Sequence, residues 1–99
     1  LPILPKSCTN NGHMFYIKVN NLEVRSNLLA HLHGKELSAV FHYIPLHSSE
    51  AGLKYGKFQG EDLVTTVESE RLIRLPLFYG ISKNELQRVI REIKLFFDK

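Results

Sequence analysis

Residues 14–45 read MFYIKVNNLEVRSNLLAHLHGKELSAVFHYIP. Met14 to Val19 concentrates β-branched and aromatic residues and reads as a strand. Asn20 and Asn21 supply an N-cap, and Leu22, Arg25, Leu28, Leu29 and Leu32 then recur at helical spacing. The spacing predicts a helix over Leu22 to His33, with Gly34 as the glycine just past its end. Ala39 to Ile44 reads as a second strand, with Ala39, Phe41 and Tyr43 on one face and Val40, His42 and Ile44 on the other. Pro45 has no N–H to give a ladder, so pairing weakens there. A strand, a helix and a strand in one sheet form a right-handed crossover. The two strands are then parallel, with room for a third between them.

Downstream, Ser48 to Val64 has no clear period and carries Gly52, Gly56 and Gly60 around Tyr55 and Phe58. Turns explain the glycines, and a loop of this length in a small domain is usually functional or disordered. Thr65 with Glu68 fits a capping box opening a short helix through Arg74, which Pro76 stops. Leu75 to Tyr79 is then a short third strand or extended segment. Ser82 with Glu85 is a second capping box, and Leu86, Val89, Ile90, Ile93 and Phe97 carry a last helix to about Phe97. The order is β-α-β-loop-α-β-α. With the third strand between the first two and antiparallel to both, this is a split β-α-β arrangement. The expected fold is α+β, a small three-stranded sheet with helices packed on one face. Residues 1–11, with Pro2, Pro5 and the pair Asn10-Asn11, read as a linker, and residues 12–99 as the domain.

Ninety-nine residues suffice for one domain with a thin core. The net charge is +3, but Arg71, Arg74, Arg88 and Arg91 alternate with Glu68, Glu70, Glu85 and Glu92. A nucleic-acid binder concentrates its cations on one face, so these residues read as solvated helix surfaces. No apolar run approaches the roughly 20 residues that span a bilayer. Cys8 is the single cysteine, which excludes an internal disulfide and leads us to expect a reducing, cytoplasmic compartment. The start lacks both Met and the basic and apolar stretches of a signal peptide, as expected of a piece of a longer chain.

No catalytic constellation is evident. His42 and His47 supply two ligands where a zinc site needs three or four. Cys8 has no base near it in sequence, and no Gly-x-Ser-x-Gly elbow or phosphate-cradling glycine motif occurs. Ligand contact remains. His42, Tyr43 and His47 leave the second strand around Pro45, and such side chains join an apolar body to a polar tip that suits a sugar. The alternative is structural, with His42 hydrogen-bonded to backbone at the core edge and Tyr43 a packed aromatic.

Asn11 to Lys18 and Ala39 to His47 are followed in order by Gly60-Glu61-Asp62, Thr65-Thr66, Glu68 to Leu72 and Arg74 to Tyr79. Together these resemble the C-terminal portion of the DegT/DnrJ/EryC1/StrS sugar-nucleotide aminotransferases. The resemblance covers nearly the whole chain. It implies the small C-terminal domain of a fold-type I enzyme dependent on pyridoxal 5'-phosphate (PLP). The intact enzyme would be a homodimer that moves an amino group from glutamate to C4 of a dTDP-4-keto-6-deoxyhexose, in synthesis of a surface polysaccharide such as enterobacterial common antigen. It also implies that the PLP lysine, the carboxylate under the pyridine nitrogen and most phosphate contacts lie in a large N-terminal domain. This chain alone then binds no PLP and supplies no catalytic residue. His42, Tyr43 and His47 fall in the segment that lines the family's sugar pocket. Many members carry Tyr-Pro-x-Pro-x-His there, whereas Ile44 stands in place of the first proline, so His42 and Tyr43 are alternatives for the substrate-facing place. The competing expectation is a free-standing binding module for an anionic or carbohydrate ligand.

Overall fold

The computed structural model describes residues 1–99. Along the chain come β1 (Tyr16–Lys18), α1 (Leu22–Gly34), β2 (Val40–Phe41), a 3₁₀ turn (Leu46–Ser48), α2 (Glu50–Tyr55), α3 (Thr65–Arg71), β3 (Leu72–Arg74) and α4 (Lys83–Phe97). The strands form one sheet in the order β1-β3-β2, and β3 is antiparallel to both neighbours. This is the split β-α-β arrangement the sequence predicts. Ile73 pairs with Ile17 on one side and Phe41 on the other. Beyond the strands proper, Val19 N–H donates to Arg71 O and Leu75 N–H to Phe15 O, each at 2.9 Å.

The period of two puts Ile17, Ile73 and Phe41 on one face of the sheet. α1 packs over that face with Leu28 and Leu32, which are fully buried with Ile73. α4 adds Val89, and Val19, Leu37 and Ala39 close the core. Arg25 of α1 donates to Ser69 O at 2.9 Å and lies over the Phe41 ring at 4.9 Å, tying α1 to α3 and to the edge strand. His33 Nε2–H donates to Ala39 O at 2.7 Å and joins the end of α1 to the start of β2.

Several boundaries differ from the sequence reading, each for a local reason. Gly34 is helical, and the left-handed residue after α1 is Glu36, at φ 58°. There Glu36 N–H donates to His33 O and Leu37 N–H to Leu32 O, both at 2.9 Å, which is the Schellman pattern. Buried Leu37 against Leu32 offsets the roughly 1–2 kcal/mol that a side chain costs in this conformation. β2 stops at Phe41 because Tyr43 takes φ 149°, which turns the backbone off the edge of β3 before Pro45 is reached. α3 ends at Arg71 rather than Arg74, and the third strand is residues 72–74 rather than 75–79. Ile73 is β-branched and bridges both neighbouring strands from a fully buried site, which outweighs one more helical turn.

The two capping boxes part company. Ser82 and Glu85 form theirs, with Glu85 N–H to Ser82 Oγ at 3.2 Å and Ser82 N–H to Glu85 Oε2 at 2.8 Å. Thr65 and Glu68 do not. The Glu68 carboxylate goes instead to Lys18 Nζ at 2.7 Å and Arg71 Nη1 at 3.0 Å, because charge-assisted bonds outcompete a backbone N–H. On α4, Phe96 rather than Phe97 packs on the core, and Glu92 is buried beside His31, whose Nε2 lies 3.4 Å away. The stretch 48–64 is not all loop, since it contains α2.

Candidate functional site

The end of β2 carries the first two predicted residues. The rings of His42 and Tyr43 lie 4.3 Å apart. The φ of Tyr43 is one that essentially only glycine adopts freely, and such backbone costs on the order of 1–3 kcal/mol. His42 Nδ1 is buried and makes no hydrogen bond within the chain. A polar atom taken from water without a partner costs about 1–3 kcal/mol. The backbone-bonded core-edge histidine is therefore not what forms. Tyr43 is about two-thirds exposed (64%), so it is not a packed core aromatic either.

His47 stands apart from that pair, with no hydrogen bond or ring contact to it. It sits in the 3₁₀ turn, one ring face 4.2 Å from Phe58, and its Nε2 lies 2.7 Å from Asp62 Oδ2. An ionised carboxylate only accepts, so the ring donates its Nε2–H. Asp62 is held in turn by Thr66, whose hydroxyl donates to Oδ2 and whose N–H donates to Oδ1 at 3.2 Å. These bonds stabilise the charged form. The Thr66 hydroxyl does most to hold the Asp62 carboxyl below its ordinary value, followed by the Thr66 N–H and the His47 ring.

The turn that bears His47 is fixed from behind. Ser49 caps α2 by accepting Gly52 N–H at 3.0 Å and donates its own hydroxyl to Leu46 O at 2.6 Å. Gly52 lies so close to that carbonyl that a Cβ would come within 1.6 Å of Leu46 O. His47, Gly52, Tyr55, Lys57, Phe58 and Gln59 share a concavity of about 560 Å³ with Leu46, Ala51 and Gly56. It offers an aromatic wall, one cation and an amide, a composition that suits a polar ligand with a flat or ring-shaped part.

The site is thus two groups, His42 with Tyr43 and His47 with Asp62. Sequence reasoning missed Asp62, Thr66 and Phe58 as partners of His47. The His47–Asp62 bond spans 15 residues across two turns and a helix, and no local spacing announces it. The Gly60-Glu61-Asp62 and Thr65-Thr66 segments entered the sequence reading through the family resemblance and gave no sign of that pairing. Turns do not account for Gly52, which is helical and seats α2 closely on the carbonyl of Leu46 in the 3₁₀ turn.

No three side chains of His, Cys, Asp or Glu gather where they could hold a metal ion. Every lysine in the chain is exposed, Lys18 in an ion pair with Glu68. A Schiff-base lysine sits in a desolvated pocket that lowers its pKa, so these residues do not fit a site for PLP.

Two comparisons bear on this arrangement. The model of the DegT/DnrJ/EryC1/StrS aminotransferase family matches residues 2–94. In fold the chain is similar to the aminotransferase TlmJ from Streptoalloteichus hindustanus, with a TM-score of 0.84 at 23% sequence identity. That likeness covers 98% of this chain and 25% of the other, so the chain spans about a quarter of that neighbour's length.

Proposed function

The chain belongs to the DegT/DnrJ/EryC1/StrS aminotransferase family, and from that premise we propose that it is the small C-terminal domain of a PLP-dependent sugar-nucleotide aminotransferase. The parent transfers an amino group from glutamate to C4 of a dTDP-4-keto-6-deoxyhexose. It is of the dTDP-4-amino-4,6-dideoxygalactose transaminase kind, a cytoplasmic homodimer serving enterobacterial common antigen synthesis. The rest of the parent holds the cofactor, which supplies the amino-transfer chemistry. The share of this chain is to close and line the sugar pocket through His42, Tyr43 and His47.

One observation carries the pocket reading. At the end of β2 the fold sustains a buried, unpartnered His42 Nδ1 beside a strained Tyr43. Neither stabilises the domain by itself, and a ligand group hydrogen-bonding to the imidazole would satisfy the first. Strain of this kind clusters at functional sites.

The test uses the full-length enzyme, with dTDP-4-keto-6-deoxyhexose and glutamate, reading 2-oxoglutarate release. His42→Ala and His47→Ala are each expected to lower kcat/KM about tenfold, the equivalent of one hydrogen bond worth about 1.4 kcal/mol in the transition state. The melting temperature of His42→Ala should stay level or rise, because an unsatisfied buried atom is removed. Two variants that melt early and turn over normally would show that these residues are structural.

A further inference from the structure

Resting on that pocket reading, we propose that Asp62 is a positioning residue for His47, its carboxylate anchored by Thr66 so that the ring donates Nε2–H inward and offers Nδ1 to the sugar nucleotide. Three constraints fix the ring. Phe58 lies against one face at 4.2 Å. Asp62 Oδ2 takes the proton on Nε2 at 2.7 Å. The 3₁₀ turn beneath is set by the fit of Gly52 under Leu46 O.

Asp62 is itself not free to swing. Both its oxygens are engaged by Thr66, one by the backbone N–H and one by the hydroxyl. The hydroxyl and His47 converge on the same oxygen, Oδ2, so the chain Thr66-Asp62-His47 has one orientation that satisfies all its donors. With Nε2–H committed, the neutral ring has a single polar atom left. Nδ1 then carries a lone pair and accepts from a hydroxyl, the group a hexose presents in several copies. The ring also borders the concavity with Tyr55, Lys57 and Gln59, where a polar ligand fits. A carboxylate that sets the tautomer of a working histidine through its second nitrogen is a general device.

The test combines a spectroscopic readout with a double-mutant cycle in the full-length enzyme. With ¹⁵N-labelled histidine, the neutral His47 ring is expected to show the Nε2–H tautomer, assigned by its loss in His47→Gln. Asp62→Asn can donate as well as accept, so the ring should shift toward the Nδ1–H tautomer while kcat/KM falls about tenfold. In a His47→Ala background the same Asp62→Asn change should lower kcat/KM no further. Thr66→Val, which keeps the carboxylate and the backbone N–H but removes the hydroxyl, should shift the tautomer part of the way. It also serves if Asp62→Asn folds poorly. An unaltered tautomer in both variants, or an equal fall in kcat/KM with and without His47, would overturn the proposal. If His47→Ala turns over normally while Asp62→Asn still shifts the tautomer, the sugar-pocket reading of His47 fails and the Asp62–His47 coupling stands.

Discussion

Alanine at Gly52 should dislodge the turn that carries His47. The added Cβ meets Leu46 O at 1.6 Å and its carbonyl carbon at 2.6 Å, where real Cβ atoms essentially never come within 3.0 Å. α2 and the 3₁₀ turn must therefore part by at least about 1.4 Å. The obstacle is backbone, so no rotamer change relieves it. Leu46 O also accepts from the Ser49 hydroxyl and N–H, and the Ser49 hydroxyl caps α2, so the displacement strips these bonds as well. Overpacking costs about 1–3 kcal/mol and each lost hydrogen bond about 1 kcal/mol. Alanine returns about 1 kcal/mol of helix propensity. The net loss is about 3–5 kcal/mol, and it is local, because α2 packs chiefly on the turn rather than on the core. Hydrogen exchange of the full-length enzyme should show residues 46–56 exchanging at least about tenfold faster, since 1.4 kcal/mol of opening is tenfold. Segments holding Leu28, Leu32 and Ile73 should exchange as before, while kcat/KM drops as His47 moves. Wild-type exchange across 46–56 would refute the described seating of α2.

Two further outcomes test the frame around the site. Ile73→Ala empties the centre of the sheet, where the side chain is fully buried between α1 and both neighbouring strands, and should cost about 2–5 kcal/mol. Urea titration would register this as a lower midpoint at unchanged slope, and a loss under about 1 kcal/mol would mean the core lies elsewhere. Acid should also weaken the domain. Glu68 is held below its ordinary 4.5 first by the Lys18 hydrogen bond, and Glu85 first by the Ser82 N–H. Asp62 is held below 3.8 first by the Thr66 hydroxyl. Each carboxylate binds protons more weakly folded than unfolded, so its contribution is complete above the ordinary value and is lost as pH falls through the lower folded one. Urea midpoints measured downward from neutral pH should hold steady and then decline below about pH 4.5. A midpoint rising through that range would contradict the assigned pairs.

The sheet order was legible because it follows from chain direction. A crossover helix between Val19 and Ala39 makes β1 and β2 parallel, and a later strand can then enter only between them or outside. The Ser82 cap was legible because both its partners lie within one turn. Boundaries failed where distant groups decided. Glu68 has a capping-box position, yet Lys18, 50 residues away, takes its carboxylate. Gly34 has the composition of a helix stop, yet burial of Leu37 carries α1 onward and puts Glu36 in the left-handed position. For the candidate site, the run from His42 to His47 drew the sequence reading, and the structure divides it into His42 with Tyr43 and His47 with Asp62. What it could not contain was Asp62, because turns and α2 bring that residue back to His47 by a path with no periodic trace in sequence.

The two halves of the site are held by opposite means, and this follows from the thinness of the core. Beyond Phe41 the chain leaves the sheet, and Tyr43, Ile44, Leu46, Leu53, Tyr55, Leu63 and Val64 are all exposed. Apolar burial cannot hold this arm, so polar local chemistry does. The Ser49 cap, the fit at Gly52 and the Thr66-Asp62-His47 chain set its shape. The His47–Asp62 bond also ties the turn back to the start of α3, closing the loop that contains α2. Aim and local order are therefore the same interaction at His47, and loosening one loosens the other. At His42 they oppose each other, because the unpartnered Nδ1 and the Tyr43 backbone cost stability. Substitutions at the two histidines should accordingly diverge. His42→Ala exchanges function for stability, whereas a change in the Thr66-Asp62-His47 chain forfeits both.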